Sequence, residues 1–222
     1  MNNQDKPYVI IVSELTLDGK LTLYRGASSK ELMTLMDEEA YRYLHEVRAK
    51  VDAIMVGCET IRTDNPSLTV RYVKGKNPIR VIPCSTANVP LDANVLSKDA
   101  HTIIATTKRA TEEKIKKLTE MGIEVLVVGD YLVDFELLLK KLREKDIKSL
   151  MVEGGSSINW ELCKLKAVNE VRIIHLPVIV GGENVPTLVG GEGFKTLNNI
   201  LHLRLRAHFK RGYHLITEWE VV

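Results

Sequence analysis

Ser149-Leu150-Met151-Val152-Glu153-Gly154-Gly155-Ser156-Ser157 decides how the rest of the chain is read. Ser149 to Val152 is short and apolar, as suits a strand buried on both faces of a parallel sheet. Gly154 and Gly155 free the backbone to turn sharply. Ser156 and Ser157 then suit the start of a short helix reaching about Lys164. Such a strand–turn–helix presents unpaired backbone N–H groups, which can cradle a pyrophosphate, with Glu153 pointing into the same crevice. The same residues also fit an ordinary glycine turn with a serine cap, and they match neither GxGxxG nor a P-loop.

Upstream, strand and helix patterns alternate. Strands are expected at Tyr8–Ser13, Ala53–Gly57, Ile79–Pro83, Thr102–Thr106 and Glu124–Val128. The apolar spacing of Leu32, Leu35, Met36, Ala40, Tyr43, Leu44 and Val47 predicts a helix over Ser29–Lys50, capped by Ser28 or Ser29. Further helices are expected at Thr111–Met121, ended by Gly122, and at Asp134–Lys145. Downstream the character changes. Glu170–Val180 is β-branched and interrupted by Pro177, while Leu201–Phe209 and Tyr213–Val222 alternate like an antiparallel hairpin. In the former, Leu203, Leu205, Ala207 and Phe209 should share one side. No repeat or linker interrupts the pattern, so the fold class is α/β, one domain over 1–222. The sheet should be mostly parallel but mixed, covered by helices on both faces.

Composition narrows the function. The 222 residues carry 31 basic and 29 acidic side chains, a net charge of +2 that predicts no broad nucleic-acid footprint. No apolar run is long enough for a membrane span. Met1 to Lys6 lacks a signal-peptide pattern, so a cytoplasmic protein is expected. Cys58, Cys84 and Cys163 lie far apart, without a CxxC pair, and are read as free thiols. The six scattered histidines suggest no metal site.

Ligands of open α/β sheets bind beyond the carboxyl ends of the parallel strands. Besides the turn after Val152, Gly57-Cys58-Glu59-Thr60 stands out, leading into Arg62-Thr63-Asp64-Asn65-Pro66-Ser67-Leu68-Thr69-Val70-Arg71. Thr60, Asp64 and Asn65 suit a ribose or amide, and Arg71 offers a fork for phosphate. A capped helix followed by an Asp-Asn-Pro turn and a surface arginine fits the same residues. Lys20, in the turn Asp18-Gly19-Lys20, is either within reach of the crevice or a solvated turn lysine. The glycine-rich stretch Gly181 to Phe194 is either a lid or a flexible crossover.

Taken in order, Thr16-Leu17-Asp18-Gly19-Lys20, AIMVG with TIRTDNPSLTVR, VEGGSS and the late IVGG…PTLVGGEGF resemble one family, from about Pro7 onward. It is the reductase domain shared by bacterial bifunctional riboflavin enzymes and stand-alone archaeal and fungal reductases. The resemblance implies a three-layer αβα, dihydrofolate-reductase-like fold and a homodimer, for which the terminal hairpin offers an edge. It also implies NADPH-dependent reduction of the ribosyl side chain of a pyrimidine 5′-phosphate to ribityl. A chain without the zinc deaminase signature HxE…PCxxC is similar to the stand-alone type. Its substrate would be 2,5-diamino-6-ribosylamino-4(3H)-pyrimidinone 5′-phosphate. By the same resemblance, Thr60, Asp64, Ile82, Pro83, Cys84, Ser85 and Val128 match cofactor-contacting positions, and Gly154, Gly155, Ser156 and Ser157 match the turn around the cofactor phosphates. Arg48, Leu68, Arg71 and Glu153 match substrate-binding positions, and Lys20 matches a lysine near the reacting ribose, so Lys20 and Glu153 are the candidate catalytic pair. Relatives often carry Asp-Ser and a nearby basic residue where this chain has Cys84-Ser85-Thr86-Ala87-Asn88, which keeps NADH open beside NADPH. Lys108 and Arg109 are alternative sources of that charge. Other readings are a reductase of the deaminated pyrimidine or of dihydrofolate, and a non-catalytic nucleotide-binding module of the same fold.

Overall fold

The computed structural model describes residues 5–222; Met1 to Gln4, part of the N-terminal reading, lie outside the described residues. Among the described residues, nine strands form one sheet in the order β5-β4-β3-β2-β6-β1-β7-β9-β8. They are β1 (Tyr8–Thr16), β2 (Ala53–Met55), β3 (Ile79–Pro83), β4 (Thr102–Thr106), β5 (Glu124–Val127), β6 (Ser149–Val152), β7 (Val168–Leu176), β8 (Leu203–Arg211) and β9 (His214–Val221). From β5 to β7 the pairings are parallel, and β9 and β8 close the sheet as an antiparallel hairpin. Together with helices on both faces, this is the expected three-layer, dihydrofolate-reductase-like α/β architecture.

Side-chain alternation on the buried strands supplies two cores. Ile10, Val12, Ile54, Ile82, Ile104 and Met151 face one way. There they meet α1 (Lys30–Met33), α2 (Glu38–Arg48), α3 (Cys58–Asp64) and α4 (Glu112–Glu120). Val9, Ile11, Met55, Val81, Ile103, Leu150 and Val152 face the other way, against α5 (Phe135–Glu144) and α6 (Ser156–Lys164). Among the described residues no helix is long and apolar enough to cross a membrane.

Several expected boundaries move for identifiable reasons. The helix predicted over Ser29–Lys50 is two, because Asp37 starts a new one: its Oδ1 accepts from the Ala40 N–H at 2.9 Å, and its Oδ2 from Tyr213 N–H at 2.8 Å. Ser29 begins α1 without a side-chain cap. β1 runs three residues past Ser13, to Thr16, because β7 pairs with it along that whole length. β7 ends at Leu176, before Pro177. The predicted one-sided row in β8 is broken by a register shift between Leu205 and Ala207. Leu203 and Leu205 therefore pair with Val221 and Trp219, whereas Phe209 pairs with Ile216 and faces the other core.

The cysteine reading is also corrected. Cys58 and Cys84 form a disulfide, and only Cys163 is free and buried. The two lie 26 residues apart in sequence, which hides the pairing. Adjacent parallel strands β2 and β3 bring their carboxyl ends together and place the two Cα atoms 5.2 Å apart.

Candidate active site

A cavity of about 790 Å³ opens at the carboxyl ends of β1, β2 and β6. Six residues given site roles from the sequence lie in its wall, namely Thr60, Asp64, Glu153, Gly155, Ser156 and Ser157, with Gly57 beside them. The two unusual turns meet directly, since Gly57 N–H donates to the Gly154 carbonyl at 3.0 Å and Glu153 N–H to the Met55 carbonyl at 3.0 Å. β2 and β6 are neighbours in register, Met55 beside Val152, so their following turns must emerge side by side.

Arg48, at the end of α2, lies behind Glu153. Its Nε donates to one carboxylate oxygen at 2.6 Å and its Nη2 to the other at 2.7 Å. Burial works against the guanidinium's charge, but the Glu153 carboxylate outweighs it and raises the Arg48 pKa further. Nη1 donates to the Thr69 carbonyl at 3.3 Å. One guanidinium thus joins α2, the end of β6 and the segment after α3. Arg48, matched to a substrate-binding position, therefore has no free fork to offer a substrate: it is filled by Glu153.

Arg71 is exposed, and its Nη1 donates to the Thr69 hydroxyl at 3.0 Å. Its backbone N–H donates to His45 Nδ1 at 3.0 Å. His45 is buried between the two arginines. Burial, then Arg48, then Arg71 push its pKa down to about 3. Leu68 is buried and lies outside the cavity wall.

Lys20 stands at the rim rather than in the wall, with its Nζ donating to the Gly182 carbonyl at 2.8 Å. The glycine-rich stretch is a built wall and not a free crossover. Asp18 accepts from the Gly181 N–H at 2.6 Å and the Val180 N–H at 3.1 Å, and Leu21 N–H donates to Pro186 O at 2.9 Å. The Thr16 hydroxyl, followed by those two N–H groups, holds the Asp18 carboxyl down at about 2. Gly190 N–H donates to Ser156 O at 3.0 Å, and a Cβ on Gly191 would overlap the Trp160 ring.

Ile82 and Pro83 are buried in β3, and Cys84 is held by Cys58. The Ser85 carbonyl accepts from the hydroxyls of Thr106 at 3.2 Å and Thr107 at 2.8 Å. Val128 is buried, its N–H donating to Thr106 O at 2.7 Å. All five lie at the carboxyl ends of β3 and β5, along the same sheet edge as the cavity but outside its wall. Lys108 is paired with Asp130 at 2.7 Å. Beyond Ser85, two other cations converge on Asn88: Arg62 Nη1 lies 3.0 Å from its carbonyl and Lys114 Nζ 3.3 Å from its Oδ1.

The residues present fit a dinucleotide. α6 opens without a side-chain cap, leaving its first N–H groups for an anion. A Cβ on Gly155 would meet nothing within 4 Å, so backbone faces open space there. Asp64 Oδ1 is buried and has no hydrogen-bond partner among the described residues, while Oδ2 accepts from the Ser29 hydroxyl at 2.7 Å. An amide or ribose hydroxyl would satisfy the orphaned oxygen. No cluster of metal-ligating side chains occurs among the described residues.

Sequence comparison decides the family. The RibD C-terminal domain pattern matches residues 7–217. The chain belongs to the RibD C-terminal domain family. It is 75% identical over 219 residues to the 2,5-diamino-6-ribosylamino-4(3H)-pyrimidinone 5′-phosphate reductase of Aquifex aeolicus, covering 98% of each chain. It is 39% identical to the protein of the same name from Methanothermobacter thermautotrophicus, covering 97% of this chain and 99% of the relative. Among solved structures, a diaminohydroxyphosphoribosylaminopyrimidine deaminase/5-amino-6-(5-phosphoribosylamino)uracil reductase from Thermotoga maritima superposes with a TM-score of 0.77 at 24% identity. This RibD-family chain covers 99% of its own length and 58% of that structure.

The structure adds Glu14 and Arg25 to the cavity wall, brings Ser29, read only as a helix cap, into it, and places Glu183 to Thr187 of the glycine-rich stretch there as well. Glu14 was legible in principle, since continuing the Ile10, Val12 alternation by one step places it on the same face.

His45 makes stability depend on pH. Its folded pKa lies below the ordinary 6.5, so between about 3 and 6.5 the unfolded chain binds the extra proton. Stability is therefore lost as pH falls through that window, at up to about 1.4 kcal/mol per pH unit. Chemical denaturation of wild type and His45→Gln should diverge from neutral pH toward pH 4, with the wild type losing more; parallel curves would remove His45 as the cause.

Proposed function

We propose that the chain is a cytoplasmic, single-domain reductase that uses NADPH to convert the ribosyl side chain of 2,5-diamino-6-ribosylamino-4(3H)-pyrimidinone 5′-phosphate to ribityl, in riboflavin biosynthesis. The observation that carries this reading is the meeting of two turns: the Gly57 N–H bonds to the Gly154 carbonyl, so a phosphate cradle and the Thr60–Asp64 helix share one mouth. The names of the Aquifex and Methanothermobacter relatives supply the substrate.

A bound nicotinamide cofactor supplies the hydride; the protein supplies alignment and exclusion of water. The start of α6, with Gly155, Ser156 and Ser157, holds the pyrophosphate by backbone N–H groups. Asp64 Oδ1 accepts from the nicotinamide half. Arg62 and Lys114, gathered at Asn88 beyond Cys84-Ser85, supply positive charge for the adenosine 2′-phosphate and favour NADPH over NADH. Glu153, fixed by Arg48, orients the sugar and stabilises positive charge developing at C1′. Lys20, at the rim, holds the opened sugar by its hydroxyls. Arg71, whose guanidinium has only a hydroxyl contact among the described residues, grips the 5′-phosphate.

The deciding experiment measures NADPH oxidation with the diaminopyrimidine phosphate, its deaminated counterpart and dihydrofolate in parallel. Turnover of the diamino compound well above both others is expected; preference for either of the others overturns the substrate assignment. Arg71→Ala should raise the substrate KM at least tenfold while cofactor Kd stays within about twofold. Gly155→Val should weaken NADPH binding at least tenfold with little change in Tm, because its side chain projects into open cavity and not into the core.

We further propose a homodimer closed over the β8 edge. That strand ends the sheet with unpaired main chain, and Leu203 and Leu205 are 45% and 44% exposed. Light scattering should give twice the mass of one chain, and Leu205→Lys should reduce it to the single-chain mass.

A further inference from the structure

We propose that Glu14 is the general acid of this reduction, giving its proton to the furanose ring oxygen O4′ as the sugar opens. The inference rests on the reductase reading above and names a residue that reading does not use.

Geometry brings Glu14 to the reaction. β1 continues to Thr16, and alternation along it puts Glu14 on the face of Ile10 and Val12. Glu153 follows β6 on the face of Met151, which belongs to the same core. β1 and β6 are hydrogen-bonded neighbours, and both Glu14 and Glu153 line the cavity. On the other side of β1, the β7 residue opposite Glu14 is Ile174, fully buried and apolar. The charged and titratable groups facing Glu14 are Glu153 at the end of β6, with Arg48 and Tyr41 from α2.

Elimination leaves the same residue. Glu153 accepts from Arg48 with both oxygens. Glu59 is paired with Arg62 at 2.6 Å. Asp64 accepts the Ser29 hydroxyl beside Thr60, on the cofactor's side of the cavity. Glu183 lies exposed on the loop. Among the described residues no side chain pairs with Glu14. Burial, followed by the Glu153 carboxylate, raises its pKa to about 7, with Arg48 pulling the other way. An acid near the working pH combines a proton to give with the strength to give it.

The step balances. The lone pair of the exocyclic nitrogen forms the C1′=N bond while the C1′–O4′ bond breaks. O4′ takes the proton from Glu14, which is left as a carboxylate beside the cationic imine. C1′ then accepts the hydride with its electron pair, and the C1′=N π electrons return to nitrogen as a neutral amine. Solvent restores the Glu14 proton, so one proton is consumed for each NADPH oxidised.

The test compares wild type, Glu14→Gln and Glu14→Asp. In the ligand-free protein, the carboxyl ¹³C resonance absent from Glu14→Gln should titrate near pH 7 in wild type. Wild-type kcat/KM should fall tenfold per pH unit above that value. Glu14→Gln should lose about 100-fold or more in kcat at pH 6 and lose that alkaline limb. Its Kd for the ribityl product should stay within about threefold, a split that a merely structural role would not give. Glu14→Asp should keep partial activity with the limb moved, and it serves in place of Glu14→Gln if that variant does not fold. A carboxyl titrating near 4.5, or a Glu14→Gln enzyme with wild-type kcat and an intact alkaline limb, overturns the proposal while leaving the reductase reading standing. A wild-type enzyme that oxidises no NADPH with any of the three substrates overturns both.

Discussion

The buried ion pair between Arg48 and Glu153 is the constraint on which the site depends. The two side chains are only 6% and 13% exposed, and they meet through two short parallel hydrogen bonds. Taking both charges out of water costs several kcal/mol per ion, and their attraction repays this only when geometry is good. Such a pair is therefore weak as a source of net stability and strong as a source of position. Removing Arg48 would leave a buried carboxylate without its partner, the expensive half of the exchange. With it present, Glu153 cannot swing, and the same guanidinium reaches the Thr69 carbonyl. The end of β6, the end of α2 and the segment carrying Arg71 are thereby held in one frame.

That frame constrains the ionisation of its neighbours. His45 sits between Arg48 and Arg71 and must stay neutral to remain buried there. Glu14 meets the opposite situation, a second carboxyl beside Glu153 in a partly closed cavity, and its proton is favoured. Arg48 helps both: it repels a proton from His45 and, because it neutralises Glu153, limits the rise at Glu14 to the neutral range. His45 is kept neutral by burial and then by the Arg48 charge, whereas Glu14 is kept protonated by burial and the Glu153 carboxylate, against that same charge.

The strand pattern, both unusual turns and the helix starts at Thr111 and Asp134 were legible because they rest on local chemistry: two-residue alternation, glycine after a strand, and side-chain oxygens that cap N–H groups. What was not legible depends on sequence-distant partners. Cys58 and Cys84 meet only because β2 and β3 pair. Arg48 reads as a substrate-binding residue until Glu153, over a hundred residues later, is seen filling its fork. Glu14 was passed over because β1 was ended at Ser13, and the extra turn of strand exists only through pairing with β7. The shift in β8 likewise reverses an alternation that looked unbroken in the sequence.

The glycine-rich loop shows how a segment without regular structure becomes a rigid wall. Glycine tolerates the backbone, but it does not fix it. Fixation comes from Asp18, whose carboxylate gathers two loop N–H groups, and from Trp160, which packs where a Cβ on Gly191 would lie. Trp160 also packs in a tilted arrangement against Phe194, at the end of the loop, with ring centroids 5.0 Å apart. The strands supply one side of the cavity by register and the loop supplies the other by a few charge-assisted hydrogen bonds. A reduction whose chemistry comes from its cofactor needs mainly alignment and exclusion of water, and both demand walls in place before the ligands arrive. The cost of ordering this loop is met on folding, so little of the ligands' binding energy is drawn into building the site.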